Sequence, residues 1–481
     1  MTKLDYSFRL RRPGITVPSK VMASNPVKSL LKIAGLGDLT NNCNFMLCPP
    51  ERWARGQSAI AHIPWVDGGA GDMPAGSVSL SRPSVKNEIY NDVLTEYAAG
   101  QLSRAGTIEP AATKENAVIS AWVNSGGLSA ENTGKTDPLG GSTAVELVED
   151  SSTGSHYKTE PPSITHPDGA RFACEVCMKR GVGTRHAGII LAVFGATNRI
   201  YAHVNFDTLA VDSGAIGSGA LDYASATQHG DDWIKVILVG KPHATLGANQ
   251  CELAVTTSAD GTYANRSYAG DGSSSIYFAM SNITISDIAM SYISGAAATV
   301  RSADTLSFSD ASGFGAIAPE GTLFGVYVSP CKPSVLSAHL EVATLSYGGD
   351  FDHASGGSQY VYTNKDDNKF VVEGWKGTTQ QMRGGANTLG DHAAGTTITF
   401  AVSWRTGQRR FVVNGVVEQD ESKDPPLNLD RLDVFNIPGL SLDGSGSMLL
   451  LGTLDTYGTD AEMKKLTGAA MRSYLEDLAG V

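Results

Sequence analysis

Tyr360, Tyr362 and Trp375 are the residues best placed by type and spacing for binding chemistry. Trp375 ends the apolar run Lys-Phe-Val-Val-Glu-Gly-Trp-Lys-Gly, so its ring closes a strand beside a glycine-rich loop. An exposed ring there offers a flat face on which the apolar side of a sugar stacks, while neighbouring Asp and Asn oxygens accept hydroxyl protons. Trp122 and Tyr157, with Tyr201 and Tyr223, are further candidate rings. Clustered carboxylates at Asp366 and Asp367, and at Asp350 and Asp352, are candidates for calcium, which needs a shell of oxygen ligands. Cys174 and Cys177 form a C-x-x-C without a second such pair. Residues three apart on a strand point to opposite faces, so these two are badly placed to share a metal ion. The six cysteines therefore read as free buried thiols of a chain folded in a reducing cytoplasm.

Catalysis finds little support. Glycoside hydrolysis needs two carboxylates held about 5 to 9.5 Å apart across a cleft, and a sequence does not show such a spacing. An E-x-D-x-x-E strand is absent, as are G-x-S-x-G, H-E-x-x-H and a phosphate loop. The expectation is a binding protein and not an enzyme, with no cofactor beyond the calcium left open above.

The elements that must position these rings are strands. With 481 residues the chain is too long for one ordinary core. Its 54 glycines and 18% charged residues suit a turn-rich all-β protein. In Ile-Thr-Phe-Ala-Val-Ser-Trp-Arg, Ile398, Phe400, Val402 and Trp404 alternate on one face, which assigns Trp404 to a core. Thr406-Gly407 makes the turn and Asn414-Gly415 a second tight one. Phe172, Phe206 and Trp233 lie in similar alternating runs and are also read as core. Near the C-terminus, Thr459 and Glu462 form a capping box, and Met463, Leu466, Ala470, Tyr474 and Leu478 keep one helical face apolar. Gly468 is expected to break that helix in two.

The first 105 residues differ. They begin with a basic stretch containing Arg9, Arg11 and Arg12, and prolines recur through them. Ser-Leu-Leu-Lys-Ile-Ala-Gly-Leu and Ile-Tyr-Asn-Asp-Val-Leu-Thr-Glu-Tyr read as short helices. The segment is expected to be an irregular anchoring arm whose Arg9, Arg11 and Arg12 meet an acidic partner surface. A net charge of −12 argues against nucleic acid as a partner. No apolar run reaches the roughly 18 residues of a membrane span, and the start lacks a signal-peptide core.

Residues 285 to 330 also carry a resemblance. Ser291-Tyr292-Ile293, Thr299, Arg301, Asp304 and Leu306, followed by Gly321-Thr322-Leu323-Phe324 and Pro330, resemble a junction found in bacteriophage virion proteins. There a carbohydrate-binding-module-like jelly roll meets a concanavalin/laminin-G-like sandwich. Trp122, Pro138, Gly140, Ala144, Glu149-Asp150 and His156 resemble the start of that jelly roll, and Trp233 its tryptophan strand, although Ile234 and Lys235 depart from the pattern. Asn414-Gly415 and the Tyr457, Ala461-Glu462, Leu466 ending resemble a laminin-G-like domain.

The resemblance implies an anchoring segment at 1–105, a jelly roll at 106–298 and a lectin-like sandwich with a short C-terminal helix at 299–481. It implies a virion fibre or spike, assembled in the host cytoplasm, that adheres to host-surface polysaccharide and binds other virion proteins through its arm. A homo-oligomer, most simply a trimer, would multiply weak sugar contacts. A decoration or connector protein that binds no sugar is the alternative, and a glycan depolymerase a weaker one. The small-residue joint at Gly295–Thr299 is expected to be poorly packed and protease-sensitive.

Overall fold

A computed structural model describes residues 26–37, 39, 43–49, 53–55, 60–61, 78–81, 85–90, 93–97, 105–160, 164–165, 169–193, 198–230, 232–243, 248–257, 267–309, 320–347, 357–425, 429–435 and 445–479. The fold is all-β, built as two sandwiches in tandem with short helices beside the second.

The first sandwich packs two eight-stranded sheets face to face. In one, Phe172–Arg180 lies antiparallel between Trp233–Lys241 and Ser275–Ile285. In the other, His186–Val193 lies between Arg199–Val204 and Ala248–Thr256. Alternation sends Phe172, Cys174, Val176 and Met178 inward to meet Ile189, Leu191, Ile200 and Leu253. Cys177 turns the other way, into a small cluster with Trp233 and Ala279. The C-x-x-C is thus split across the two faces of one strand. The run before Trp122 is a 3-10 turn at Ile119–Ala121, and the strand Val123–Gly126 follows it.

The second sandwich sets a nine-stranded sheet against a seven-stranded one. Thr397–Arg405 and Gln408–Val413 pair as the sequence indicates, and Val416–Glu421 follows the Asn414-Gly415 turn. Both turn residues have positive φ, 49° and 79°, as a tight hairpin turn of this type demands. Phe400, Val402, Trp404, Phe411 and Val413 join Val361, Phe370 and Val372 of the opposite sheet in one core.

The segment expected as a separate anchoring arm is built into this sandwich in its described part. Cys43–Cys48 pairs with Gly446–Leu454, so strands from the two ends of the chain lie side by side in the nine-stranded sheet. Val78–Ser81 pairs with Thr305–Ser309 in the other sheet. The physical reason is edge satisfaction: without these strands, two long strands would leave backbone groups unpaired. The run from Ile89, expected as a helix, lies in the hairpin Lys86–Tyr90 and Val93–Tyr97, in keeping with its β-branched and aromatic content. Arg9, Arg11 and Arg12 lie outside the described residues.

Helix α1 (Pro26–Ile33) starts with proline, whose missing N–H costs nothing in a first turn. Helix α2 (Asp460–Leu466) has the expected capping box, and α3 (Ala469–Ala479) begins after Gly468. Together they cover the outer face of the nine-stranded sheet. Leu30, Leu31, Met463, Leu466, Met471 and Leu475 pack there against Phe324, Val326, Ala401 and Val412. The break at Gly468 shifts the buried face of α3 to Met471 and Leu475, by one residue from the continuous helix expected, and leaves Ala470 exposed.

The chain passes between the sandwiches twice, through 109–111 and 302–304. The two crossings are bonded to each other: Asp304 N donates to Glu109 O at 2.9 Å and Glu109 N to Asp304 Oδ2 at 3.1 Å. Arg301 lies 3.0 Å from Glu109 Oε2, and the Ser291 hydroxyl donates to Glu109 Oε1 at 2.7 Å. All four residues are buried. Ile288 and Met290 pack against Cys331, Val335, Leu336 and Leu340 alongside. Gly295–Ala298 of the expected joint are exposed and Thr299 half-buried, whereas Ser291, Arg301 and Asp304 of the resemblance, on either side of it, build a dense polar junction. Since Thr299–Arg301 pairs with Ala112–Lys114, the first sandwich also extends past residue 298.

Candidate functional site

The outer face of the seven-stranded sheet carries the candidate rings; its middle, at Thr344, Ser358 and Asp433, is buried, and Glu373, Trp375 and Arg383 are the members with surface exposed. On strand Ser358–Asn364, Val361 points into the core while Tyr360 and Tyr362 point out. On the neighbouring strand Lys369–Lys376, Val371, Glu373 and Trp375 point out. Tyr360, Tyr362, Val371 and Trp375 form one cluster. The structure thus brings together the three rings singled out from sequence. Their exposures differ: Tyr360 and Tyr362 are 6% and 8% exposed, whereas Trp375 is half-buried and presents more of its surface to solvent.

A row of polar side chains crosses the sheet beside these rings. Ser307, Asp433, Thr344, Tyr360, Glu373 and Arg383 are successive cross-strand neighbours on six strands. At the usual spacing of adjacent strands the row is about 24 Å long. Tyr362 donates to Glu373 Oε1 at 2.7 Å, and Arg383 Nε lies 2.9 Å from the same oxygen. Arg383 Nη2 also reaches Asp367 Oδ2 at 2.7 Å. Burial, then the bond to Glu373, pushes the Tyr362 hydroxyl well above its ordinary range. Its bond with Tyr362 raises the Arg383 guanidinium further. The group is a fixed, bonded platform whose outermost members are Trp375 and Arg383.

Deeper in the same face lie carboxylates that the sequence reading missed. Asp433 is held by Arg431 through two bonds of 2.8 Å, and burial raises its carboxyl above the usual range. Glu341, fully enclosed beside Thr344, is raised well above the usual range by burial, with Asp433 and Glu373 as like-charged neighbours. Nothing local in the sequence marks these residues. Strand alternation would have put Glu373 and Arg383 outward, but it gives no cross-strand neighbours without the register.

The remaining expectations fare unevenly. Trp122 is 4% exposed, with its indole N–H donating to Ala117 O at 3.0 Å and its ring in the first core. It is a core residue and not a sugar platform, because the 3-10 turn before it aims the ring inward. Tyr157 is half-buried, lying so close over Gly126 that a Cβ there would come within 2.8 Å of the ring. Tyr201 is buried on an outer face with Ile190 and Ala192, and Tyr223 lines a crevice between the sandwiches. Asp366 is paired to Lys365 at 2.6 Å and Asp367 to Arg383, so each carboxylate already faces a cation and the two do not converge. Among the described residues no group of three His, Cys, Asp or Glu could hold a metal ion. Asp350 and Asp352 lie outside the described residues. Among those described, no helix is long and apolar enough to cross a membrane.

Comparison with known proteins adds little to this geometry. No family model matches the chain, and no curated protein matches it. Among solved structures it is similar to the CBM40 of the Ruminococcus gnavus IT-sialidase bound to α2,3-sialyllactose, at 13% identity and a TM-score of 0.25, covering 31% of this chain and 82% of that one. It is also similar to domains LG4-5 of the mouse laminin alpha1 chain, at 10% identity and a TM-score of 0.22, covering 72% and 95%. A SAP-like pentraxin from Limulus polyphemus is similar at 11% identity and a TM-score of 0.24, covering 32% and 76%. Likenesses this distant transfer no ligand, and the description of the fold rests on the strand pairing above.

Proposed function

We propose that this chain is a glycan-binding protein whose site is the outer face of the seven-stranded sheet. The observation that carries the reading is the assembly of Tyr360, Tyr362 and Trp375 beside the Glu373–Arg383–Asp367 network on one sheet face. Trp375 supplies a stacking surface and Arg383 a rigid donor fork for sugar hydroxyls or carboxylates. The bonds around Arg383 hold it in place before a ligand arrives, which lowers the ordering cost of binding. The role is adhesion without chemistry, on a bacteriophage fibre or spike that meets host-surface polysaccharide. That finer reading rests on the resemblance of Ser291, Arg301 and Asp304 to the virion junction, residues that are buried and bonded at the crossing. Partners on the virion and assembly as a trimer belong to the same proposal. Since Met463, Leu466, Met471 and Leu475 are used within the chain, trimer contacts would come from the sandwich sides or the N-terminal residues.

A second reading, a decoration or connector protein, is favoured by one observation: Tyr360 and Tyr362 are largely covered, as rings of a packed rim would be. A glycan array probed with the full chain separates the two. Binding to bacterial polysaccharides, lost in both Trp375→Ala and Arg383→Ala, supports adhesion. A blank array with a folded protein supports decoration.

A further inference from the structure

The exposed rim of the seven-stranded sheet holds charges that are already paired, and the pairing bears on which ligand fits. The side chains of Arg383 and Asp367 are 46% and 44% exposed. Two carboxylates grip the one guanidinium: Glu373 Oε1 lies 2.9 Å from Nε and Asp367 Oδ2 2.7 Å from Nη2. Nε and Nη2 make the side-on fork with which an arginine takes a carboxylate, and here the protein's own acids occupy it. The other cations of this face are committed in the same way. Lys365 lies 2.6 Å from Asp366, and Arg431 bonds both oxygens of Asp433 at 2.8 Å. Just past Trp375, Lys376 lies 2.7 Å from Asp424. Lys369 donates to the amide oxygen of Asn387 instead, but it starts the strand that Trp375 nearly ends, about 20 Å away. Among the described residues around Trp375, each of these nearer cations faces a carboxylate, and Arg383 faces two.

We infer that this site takes uncharged, hydroxyl-rich sugars and turns away glycans whose sugars carry carboxylates. The inference rests on the glycan-binding reading above and narrows it. A carboxylate accepts a hydroxyl proton in a charge-assisted bond, so Asp367 and Glu373 suit sugar hydroxyls presented beside the Trp375 ring. A uronate carboxylate in the same place meets two like charges and a guanidinium whose fork is taken, and juxtaposed like charges cost affinity. Trp375 supplies the attraction common to all sugars, and the two carboxylates supply the discrimination against acidic ones.

Matched polymers separate the two classes. Bacterial capsular polysaccharides that contain uronic acid are immobilised in native form and after reduction of their carboxyl groups to primary alcohols, beside neutral polysaccharides. At low salt the full chain should bind neutral and reduced polymers at least about tenfold tighter than native acidic ones, and the gap should shrink as salt rises. Asp367→Asn removes one carboxylate and loosens the hold on Nη2, so it should narrow the gap by about threefold or more; a merely structural role for Asp367 would weaken all polymers alike. Native acidic polymers bound as tightly as their reduced forms, with binding lost in Arg383→Ala, would overturn the inference and leave the glycan-binding reading standing. A gap unchanged in Asp367→Asn would overturn it too. A folded protein that binds no polymer of the set would remove both the reading and the inference.

Discussion

The two sheets of the second sandwich share one core but have opposite outer faces. The nine-stranded sheet is apolar outside, with Phe324, Val326, Ala401 and Val412 sealed by Leu30, Leu31, Met463 and Leu475 of the helices. The seven-stranded sheet carries Thr344, Tyr360, Tyr362, Glu373, Arg383 and Asp433 on its outer face. A helix-covered face contributes stability and has no further contacts to offer. A face of fixed rings and bonded charges adds less to stability, because buried charges roughly offset their own desolvation. Stability and binding should therefore be separable by mutation within a single domain.

The largest effect is expected outside the comparison, at the junction on which both sheets depend. Arg301→Ala leaves buried Glu109 without its nearer cation, with Lys86 still 3.8 Å from Oε1, and should cost about 3–5 kcal/mol, measured by denaturant unfolding. On the sealed face, Leu475→Ala removes a fully buried side chain and should cost about 2–5 kcal/mol without altering glycan binding. Loss of binding in a folded Leu475→Ala protein would break the separation of the two faces.

Glu341→Gln sharpens it further. With its folded carboxyl raised well above the ordinary value, Glu341 is favourable in acid and costs stability as pH climbs from the ordinary carboxylate range toward the raised one. Gln at this position should therefore raise Tm at pH 8 and change it little at pH 4.5. An equal effect at both pH values would mean that Glu341 is charged in the fold.

What could be read in advance was local. The Thr459–Glu462 cap, the Asn414-Gly415 turn, the inward Trp404 and the break at Gly468 each depend on residues a few positions apart, and all stand in the structure. Tyr360, Tyr362 and Trp375 are grouped by ring type and by the apolar run that Trp375 ends, and the structure pairs their two strands. Long-range pairing was not legible. Cys43–Cys48 finds its partner at the other end of the chain, and nothing near residue 43 says so. The segment from Ile89, expected as a helix, is instead part of a hairpin that carries Ile89, Tyr90, Val93 and Tyr97. Asp433 joined the site only through register, which two strands far apart in sequence set together. Trp122 failed because one 3-10 turn reverses which face a ring meets.

The smallest stability change should accompany the largest change in binding. Trp375 is half-buried at the rim of its cluster, so Trp375→Ala should cost only about 1 kcal/mol of stability. Calorimetric titration of a polysaccharide bound on the array into wild-type and Trp375→Ala protein tests the central claim most directly. The expected result is a loss of affinity of about tenfold or more, at a Tm within a few degrees of wild type. Equal affinity in the two proteins would contradict the assignment of the seven-stranded face as the glycan site.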